Sequence, residues 1–220
     1  AFVFELSKVE TPNIRSRVVA HLLNVDETLA KDVAEGLGLK DLPAPAPAAR
    51  TPITDLAAST ALSILKNGPD SFAGRKLGVI VTDGTDAALL NALQTQVEAE
   101  GAIMELVAPV VGGITLTDGQ TIPAQQKIVG APSVLYDAVV LLSSAEGTKL
   151  LGKDATTRDF VADAFAHAKF IAYGPDATAL LAKGGITSDD MDDGVIALKS
   201  EADIKPFITT CRKLRFWDRG

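Results

Sequence analysis

A sharp bend at Tyr173, Gly174 and Pro175 separates an apolar stretch from an amphipathic one in the segment KFIAYGPDATALLAKGG, residues 169–185. Many α/β enzymes hold a nucleophile where a strand turns sharply into a helix, because the turn lifts one side chain clear of the backbone. Neither serine nor cysteine stands at this bend. A tyrosine hydroxyl needs a general base within hydrogen-bond reach, and the segment offers no obvious one. We therefore expect Tyr173 to pack with its hydroxyl at the rim of an elbow that lacks a nucleophile.

Asp83 and Gly84 lie in a turn, VTDGTD at residues 81–86, that follows an apolar stretch. A single glycine matches neither the dinucleotide-binding pattern G-x-G-x-x-G nor the phosphate-binding pattern G-x-x-x-x-G-K-[ST], which disfavours a nucleotide site. We interpret Asp83 and Asp86 as caps of the following helix. Ligands of doubly wound sheets bind beyond the carboxyl ends of the strands, so Asp83 and Gly84 are candidates for a strand-end pocket.

An acidic run, SDDMDDG at residues 188–194, matches a calcium-binding loop only in part. Asp189, Asp193 and Gly194 fit the pattern D-x-[DN]-x-[DN]-G. Met191 occupies the second ligand position, and Ser200 stands where the bidentate glutamate belongs. We interpret the run as a solvated turn.

His21, His167 and Cys211 are the remaining candidates for metal binding or nucleophilic chemistry. The histidines lie on different predicted helices without a second ligand at helical spacing, which gives little support for zinc. Arg212 and Lys213 could lower the thiol pKa of Cys211. A buried apolar role is favoured for this cysteine, because free cysteines are commonly interior. The residues predict no catalytic group, no cofactor site and no metal site in this chain.

The elements that would position these residues begin at about residue 75, where predicted strands and helices alternate. KLGVIVTDG, a helix beginning at residue 85, and IMELVAP form a βαβ unit, which implies a parallel sheet with a right-handed crossover. Further strands are predicted in DAVVLLSS, KFIAY and DDGVIAL, a hairpin around Asp118-Gly119, and a last helix over SEADIKPFITTCRKLRF. This alternation predicts an α/β fold with a doubly wound, mostly parallel sheet.

Two short helices are predicted before this domain. Thr11 and Pro12 begin one of them as N-cap and first helical residue, and Asp26 begins the other. Ile14, Val18, His21 and Leu22 fall at helical spacing on the first helix. The two helices have too little apolar surface to form a core alone, so we expect them to dock on another surface.

A proline-rich stretch follows these helices. Four prolines, at positions 43, 45, 47 and 52, favour an extended tether because each fixes φ and removes a backbone donor. Ile64 and Leu65 make its second half apolar enough to lie against a surface.

The composition limits the classes of partner. The formal net charge of −7 argues against a nucleic-acid partner. No apolar run reaches the roughly 20 residues of a membrane-spanning helix, so we expect a soluble protein without a membrane partner. One cysteine and no secretion signal favour a cytoplasmic location. The chain begins at Ala1 without methionine, and we expect it to be a fragment of a longer protein.

Five segments carry a resemblance to a known family: FVFELSKVETPNIRSRVVAHLLNVDETLAKDVAEGLG, RKLGVIVTDGTDAALLNAL, GGITLTDGQTI, APSVLYDAVVLL and CRKLRFWDR. In this order they resemble the C-terminal part of large-subunit haem catalases, where the core is followed by a proline-containing connection and a flavodoxin-like domain related to the PfpI superfamily. The resemblance covers essentially the whole chain. It implies terminal helices of a catalase core over residues 1–38, a Pro-rich linker over residues 39–74 and a flavodoxin-like domain over residues 75–220.

The resemblance also bears on the elbow. PfpI-like enzymes carry a cysteine at the bend after this strand and an acidic partner after the first strand. The bend here offers Tyr173 or Gly174, and Leu89 stands near the acidic position. The resemblance therefore implies a vestigial elbow without hydrolase activity.

Haem is expected only in the parent protein. In this family a tyrosine in the pattern R-x-x-x-Y holds the iron, with a distal histidine and asparagine, all upstream of this chain. Tyr136 is preceded at that spacing by Pro132, and Tyr173 by Lys169. The resemblance thus implies no haem ligand in this segment.

The resemblance implies a parent enzyme that dismutates hydrogen peroxide to water and oxygen, and for this segment a stabilising or assembly role. The implied partners are the catalase core and further copies of the parent, a tetramer. A chaperone-like or small-ligand-binding module stays open, since apolar surface at Ile64 and Leu65 would suit unfolding client proteins. A residual PfpI-type hydrolase using Cys211 or Tyr173 is a further alternative.

Overall fold

The computed structural model describes residues 1–219, and Gly220 lies outside the described residues. It divides into two compact units, Ala1–Ser63 and the part from Ile64 onward. The helices are α1 (Phe2–Ser7), α2 (Pro12–Leu22), α3 (Glu27–Gly36), α4 (Ile64–Asn67), α5 (Ala87–Ala99), α6 (Ala145–Leu151), α7 (Ala155–Ala166), α8 (Thr178–Lys183) and α9 (Ile204–Cys211). The strands are β1 (Lys76–Ile80), β2 (Ile103–Ala108), β3 (Ile114–Thr115), β4 (Thr121–Ile122), β5 (Gln126–Lys127), β6 (Ala138–Leu141), β7 (Ile171–Tyr173) and β8 (Val195–Ala197).

The first unit is a small cluster of the helices α1, α2 and α3. Thr11 is the N-cap of α2 with Pro12 in its first turn, and the Asp26 carboxylate caps α3 by accepting from the Leu29 amide. The predicted helix starts are therefore confirmed, whereas α1 was not predicted. The prediction of which residues form the apolar face of α2 was wrong in part, because Ile14 and His21 are exposed. The core of this unit is formed by Leu6, Val19, Leu22, Ala30, Val33 and Ala34.

The proline-rich stretch is held to α2 at one residue. The Ala46 amide donates to the Ala20 carbonyl at 2.9 Å, and the Asn24 side-chain amide donates to the Ala46 carbonyl at 2.9 Å. The Ala20 carbonyl lies in the last turn of α2, where carbonyls have no helical partner, so Ala46 satisfies one of them. Among the described residues, 42–59 contain neither helix nor strand. The stretch is therefore hydrogen-bonded to the end of α2 at Ala46.

The second unit contains a six-stranded parallel sheet in the order β5-β2-β1-β6-β7-β8. The predicted α/β fold with a doubly wound, mostly parallel sheet is confirmed. The chain runs from β1 outward to β2 and β5, then returns to the other side of β1 for β6, β7 and β8. The strand order therefore reverses between β1 and β6, and this is the switch point at which doubly wound sheets bind ligands. The predicted hairpin around Asp118-Gly119 is the antiparallel pair β3 and β4.

Helices cover both faces of the sheet. The helices α5 and α9 pack on one face, where Leu93 and Phe207 are fully buried. The helices α6, α7 and α8 pack on the other face, where Phe160 and Leu181 are buried. Each central strand is therefore buried on both sides, which explains why the strands read as continuous apolar runs.

Four elements of this unit differ from the sequence predictions. The helices α4 and α6 and the two-residue strand β5 were not predicted. The last helix was predicted to continue to Phe216 but ends at Cys211. Leu214 adopts a positive φ of 72°, which breaks the helix, and the Phe216 amide donates to the Ala168 carbonyl at 2.7 Å. The chain therefore turns back toward the start of β7.

Candidate functional site

The ends of β1 and β6 at the switch point are joined by hydrogen bonds. The Ser144 hydroxyl donates to the Asp83 carbonyl at 2.6 Å, and the Ser144 amide donates to the Thr82 hydroxyl at 3.1 Å. The Thr85 hydroxyl donates to the Leu142 carbonyl at 2.8 Å. We call the Ser144–Asp83–Thr82 contacts the Ser144 bridge. It lies where related folds open a crevice for a ligand.

The turn after β1, residues 81–86, is hydrogen-bonded to the hairpin formed by β3 and β4. The Asp83 carboxylate accepts from the Thr115 amide at 2.8 Å, and the Gly84 amide donates to the Thr115 carbonyl at 2.7 Å. Gly84 has a φ of +78°, a left-handed conformation that favours glycine. Asp86 caps α5 by accepting from the Leu89 amide, as predicted. The interpretation of Asp83 as a helix cap was wrong, because its carboxylate binds the hairpin.

The bend after β7 has the predicted strand-to-helix form. Tyr173 is half-buried and is the last residue of β7. The Gly174 amide donates to the Leu141 carbonyl at 2.8 Å, and Pro175 begins a single 3₁₀ turn that leads into α8. A side chain at Gly174 would place its Cβ 3.2 Å from Leu142 Cδ2, so the position is tight as well as empty.

A pocket of about 200 Å³ lies between the first turn and this bend. Gly84 and Gly174 both line it, whereas Tyr173 and Asp83 do not. Leu89, which stands near the expected acidic position, also lines it and is 8% exposed. Of the four predicted site residues, the structure thus brings only Gly84 and Gly174 together in this pocket. Neither of these two glycines can act as a nucleophile or a base.

Ser143 and Ser144 also line this pocket, and sequence reasoning did not single them out. The buried Ser143 hydroxyl lies 2.7 Å from the Thr148 hydroxyl, which itself donates to the Asp176 carbonyl at 2.9 Å. The Ser144 hydroxyl accepts from the Gly147 amide and thereby caps α6. The hydroxyls of both serines are therefore used in structural hydrogen bonds. The exposed side chains of His21 and His167 do not line this pocket. The pair Ser-Ser before AEG was a capping signal that could have predicted α6.

Cys211 is fully buried on the α5 and α9 side of the sheet. Burial raises the pKa of its thiol, and the charge of Arg75 opposes this only in part. Arg212 does not activate the thiol, because its guanidinium makes two 2.8 Å bonds to Glu100. The hydrogen bonds from Arg212 hold the pKa of the Glu100 carboxyl below its usual range. The predicted burial of Cys211 is confirmed. The alternative that Arg212 and Lys213 lower its thiol pKa was wrong, because burial raises that pKa.

The acidic run forms a turn held by hydrogen bonds. Asp190 accepts from the Thr187 hydroxyl at 2.6 Å, which lowers the pKa of this carboxyl. Asp192 binds the Arg219 guanidinium through two contacts of 2.6 and 2.8 Å, and these lower the pKa of Asp192. Within residues 1–219 no three His, Cys, Asp or Glu side chains are grouped so that they could hold a metal ion.

Lys169 is buried although it is a lysine. It is 3% exposed, and its Nζ donates to the Tyr136 carbonyl at 2.6 Å and also to the Ser133 carbonyl. Burial lowers the pKa of Lys169 to about 8, and the charge of Arg215 adds to this effect. An amine with a lowered pKa is a candidate nucleophile, but this one is enclosed and bound to backbone carbonyls. Its arrangement is that of an anchor for the turn at residues 133–135.

Tyr136 is buried in the core on the α7 side of the sheet. Its ring lies against Gly78, where any Cβ would collide with it, and 6.1 Å from the ring of Phe160. Burial raises the pKa of its hydroxyl, and the charge of Glu105 adds to this effect. The ring could reach a bound group only if the core opened.

The described residues also include no helix long and apolar enough to span a membrane.

Comparison with known proteins gives matches over the whole chain. Residues 73–220 match the family model described as the C-terminal domain found in long catalases, and residues 1–37 match one described as catalase-related immune-responsive. Catalase C of Rhizobium meliloti (strain 1021) is 56% identical over 219 residues, covering 100% of this chain and 31% of that protein. Catalase HPII of Mycobacterium avium is 37% identical over 235 residues, covering 100% of this chain and 32% of that protein.

A more distant relative, Catalase-B of Dictyostelium discoideum, is 30% identical over 224 residues, again with 100% of this chain and 31% of the relative covered. The chain thus spans about a third of the length of the curated relatives it matches. The model of the long-catalase domain covers more than half of the chain, including the whole parallel sheet. The chain therefore belongs to the family of C-terminal domains found in long catalases.

Proposed function

We propose that this chain is the non-catalytic C-terminal part of a large-subunit catalase and that it stabilises the parent protein or its assembly. The parent dismutates hydrogen peroxide to water and oxygen with a haem held outside this segment. Residues 1–38 are the terminal helices of the catalase core, residues 39–74 are the linker, and residues 75–220 are the accessory domain. The partners in this proposal are the catalase core and further copies of the parent in a tetramer, in the cytoplasm.

The Ser144 bridge is the observation that carries the non-catalytic role. It joins the strand ends at the switch point, and the hydroxyls beside it serve caps and turns. The adjacent bend offers Tyr173 or Gly174 where PfpI-like enzymes carry a cysteine, and Leu89 stands near the position of their acidic partner. The bend and the first turn are therefore a vestigial elbow whose residues now serve packing. The catalase names of the relatives support the identity of the parent.

The stabilising role can be tested by truncating the parent protein so that the residues corresponding to 39–220 are removed. We expect the truncated protein to keep its haem absorbance band but to lose part of its tetramer by light scattering and to inactivate faster on heating. An unchanged mass and inactivation rate would contradict a stabilising role. The isolated 220-residue chain should be colourless and inactive, and peroxide turnover by it would contradict the non-catalytic assignment.

A chaperone-like function is the second candidate, because large apolar side chains are exposed along the linker. Leu56 is 76% exposed, Leu62 is 87% exposed and Leu65 is 65% exposed. Exposed apolar surface of this kind suits unfolding client proteins. The chain should then suppress heat-induced light scattering of a client enzyme, and Leu62→Ser together with Leu65→Ser should reduce this effect. Exposed Val129→Ser is a matched control outside the linker, and equal loss in both variants would argue against a linker-based chaperone.

A further inference from the structure

A second pocket borders the Ser144 bridge at Thr82 and Asp83 and lies at the carboxyl ends of β1 and β2. It measures about 350 Å³, which is within the usual range for sites that bind small molecules. Its walls come from the end of β1, the turn after β2, the hairpin and α6, and they include Asp83, Pro109, Val110, Ile114, Glu146 and Leu150. The pocket that borders Gly84 and Gly174 is separate from it.

The walls of this pocket are mainly apolar. Val110 is 56% exposed and Leu150 is 59% exposed, and both line the same concavity with Pro109. Ile114 is buried and closes one side. Gly147 forms the base of the pocket and lets α6 pack directly against Thr82, because a Cβ at this position would collide with the Thr82 side chain. Exposed apolar residues that converge on a concavity indicate a binding site more strongly than scattered ones.

The charged groups that line the pocket are carboxylates. Asp83 uses one carboxylate oxygen to accept from the Thr115 amide. Glu146 pairs with Lys149 at 2.6 Å on the exposed face of α6. No lysine or arginine is among the described lining residues. The rim therefore favours a cation over an anion, and the net charge of −7 adds to this preference.

We propose that this pocket binds small amines that combine an apolar body with a cationic ammonium group. The apolar body contacts Val110, Ile114 and Leu150, and the ammonium lies at the rim beside Asp83 and Glu146. The position fits the rule that open α/β sheets bind ligands beyond the carboxyl ends of their strands. The proposal does not depend on a role in catalase assembly.

A methyl-labelled nuclear magnetic resonance titration of the 220-residue chain with hexylamine tests the proposal. Methyl signals of Val110, Ile114 and Leu150 should shift together, with hexylamine binding tighter than hexanol and hexanol tighter than hexanoate. Each methylene added from butylamine to hexylamine should tighten binding about 4-fold through apolar burial. Hexanol binding as tight as hexylamine binding, or shifts elsewhere alone, would overturn the proposal.

Matched variants separate the charge from the apolar contact. Asp83→Asn and Glu146→Gln should each weaken hexylamine binding about 2- to 5-fold and leave hexanol unchanged. Asp118→Asn, an exposed carboxylate outside the pocket, should have no effect. Leu150→Gln should weaken both ligands, whereas Val129→Gln, also exposed, should weaken neither. Unchanged hexylamine binding in the double variant of Asp83 and Glu146 would overturn the assignment of a cation.

Discussion

Replacing the buried Lys169 by methionine is expected to change how stability depends on pH. The Lys169 ammonium is enclosed by the turn at residues 133–135, and burial lowers its pKa to about 8 from an ordinary value of 10.5. Arg215 disfavours its charge as well, while Asp137 and Asp163 favour it. Between these two pKa values the unfolded chain binds more protons at Lys169 than the folded chain does. The free energy of unfolding of the wild type should therefore rise with pH in this window.

The magnitude follows from the two pKa values. Below pH 8 both states are protonated, and the folded chain bears the full cost of a buried charge, about 3 kcal/mol. As the pH rises, the wild type should gain about 1.4 kcal/mol relative to Lys169→Met by pH 9 and about 2.5 kcal/mol by pH 10. In Lys169→Met the two hydrogen bonds to the carbonyls of Ser133 and Tyr136 are also lost. This loss adds a constant to the difference in unfolding free energy and does not change how that difference depends on pH. Cys211 and Tyr136 titrate in both proteins, so their effects cancel.

The assay is urea unfolding of both proteins at pH 7.5, 9 and 10, with the difference in unfolding free energy plotted against pH. Lys213→Met, at an exposed position on the same domain, is the matched control and should give a flat difference. A flat or falling difference for Lys169→Met would refute the reasoning. It would mean that the hydrogen bonds to the carbonyls fully compensate for burial of the charge.

Three further substitutions test other contacts. Ser144→Ala removes a helix cap and the bond to the Asp83 carbonyl, and should cost about 2 kcal/mol in urea unfolding. Arg219→Ala leaves Asp192 without its guanidinium partner, and the same assay should show a loss of about 2–4 kcal/mol. Ala46→Pro removes the amide that binds the end of α2, so hydrogen exchange in α2 should accelerate, whereas Ala44→Pro should not change it.

Controls for the first two substitutions are available on the surface. Ser188→Ala and Arg158→Ala remove exposed side chains and should each change the unfolding free energy by less than about 1 kcal/mol. Losses no larger than these at Ser144 and Arg219 would contradict the structural roles assigned to them. Equal hydrogen exchange in the two proline variants would show that the amide of Ala46 does not hold the linker.

The sheet and its main helices could be predicted because their signals are local. Leu90, Leu93 and Val97 repeat at helical spacing on α5, and the central strands are continuous apolar runs. Burial of Cys211 could be predicted because free cysteines are commonly interior. The helix α6 was missed because it has only seven residues and Gly147 stands inside it, which weakens any helical pattern.

The polar contacts between residues that are distant in the chain could not be predicted. Asp83 precedes a helix and has the pattern of a cap, but its carboxylate binds the amide of Thr115. Lys169 would be expected at the surface, and its burial depends on the carbonyls of Ser133 and Tyr136. In each case the fold decided between a local and a distant partner, and the amino-acid sequence near the residue did not contain that information.

If the segment has the non-catalytic role proposed above, the packing and hydrogen bonds at the bend after β7 would make a gain of enzymatic chemistry there a multistep evolutionary path. A cysteine at position 174 would press against Leu142, and a carboxylate at position 89 would replace a side chain that is 8% exposed. The Ser144 bridge would still cross the switch point, and removing it costs a cap of α6. We expect each of these changes to lower the stability of the domain, because each one disturbs a packed or hydrogen-bonded position. Selection for folding alone would therefore oppose these changes.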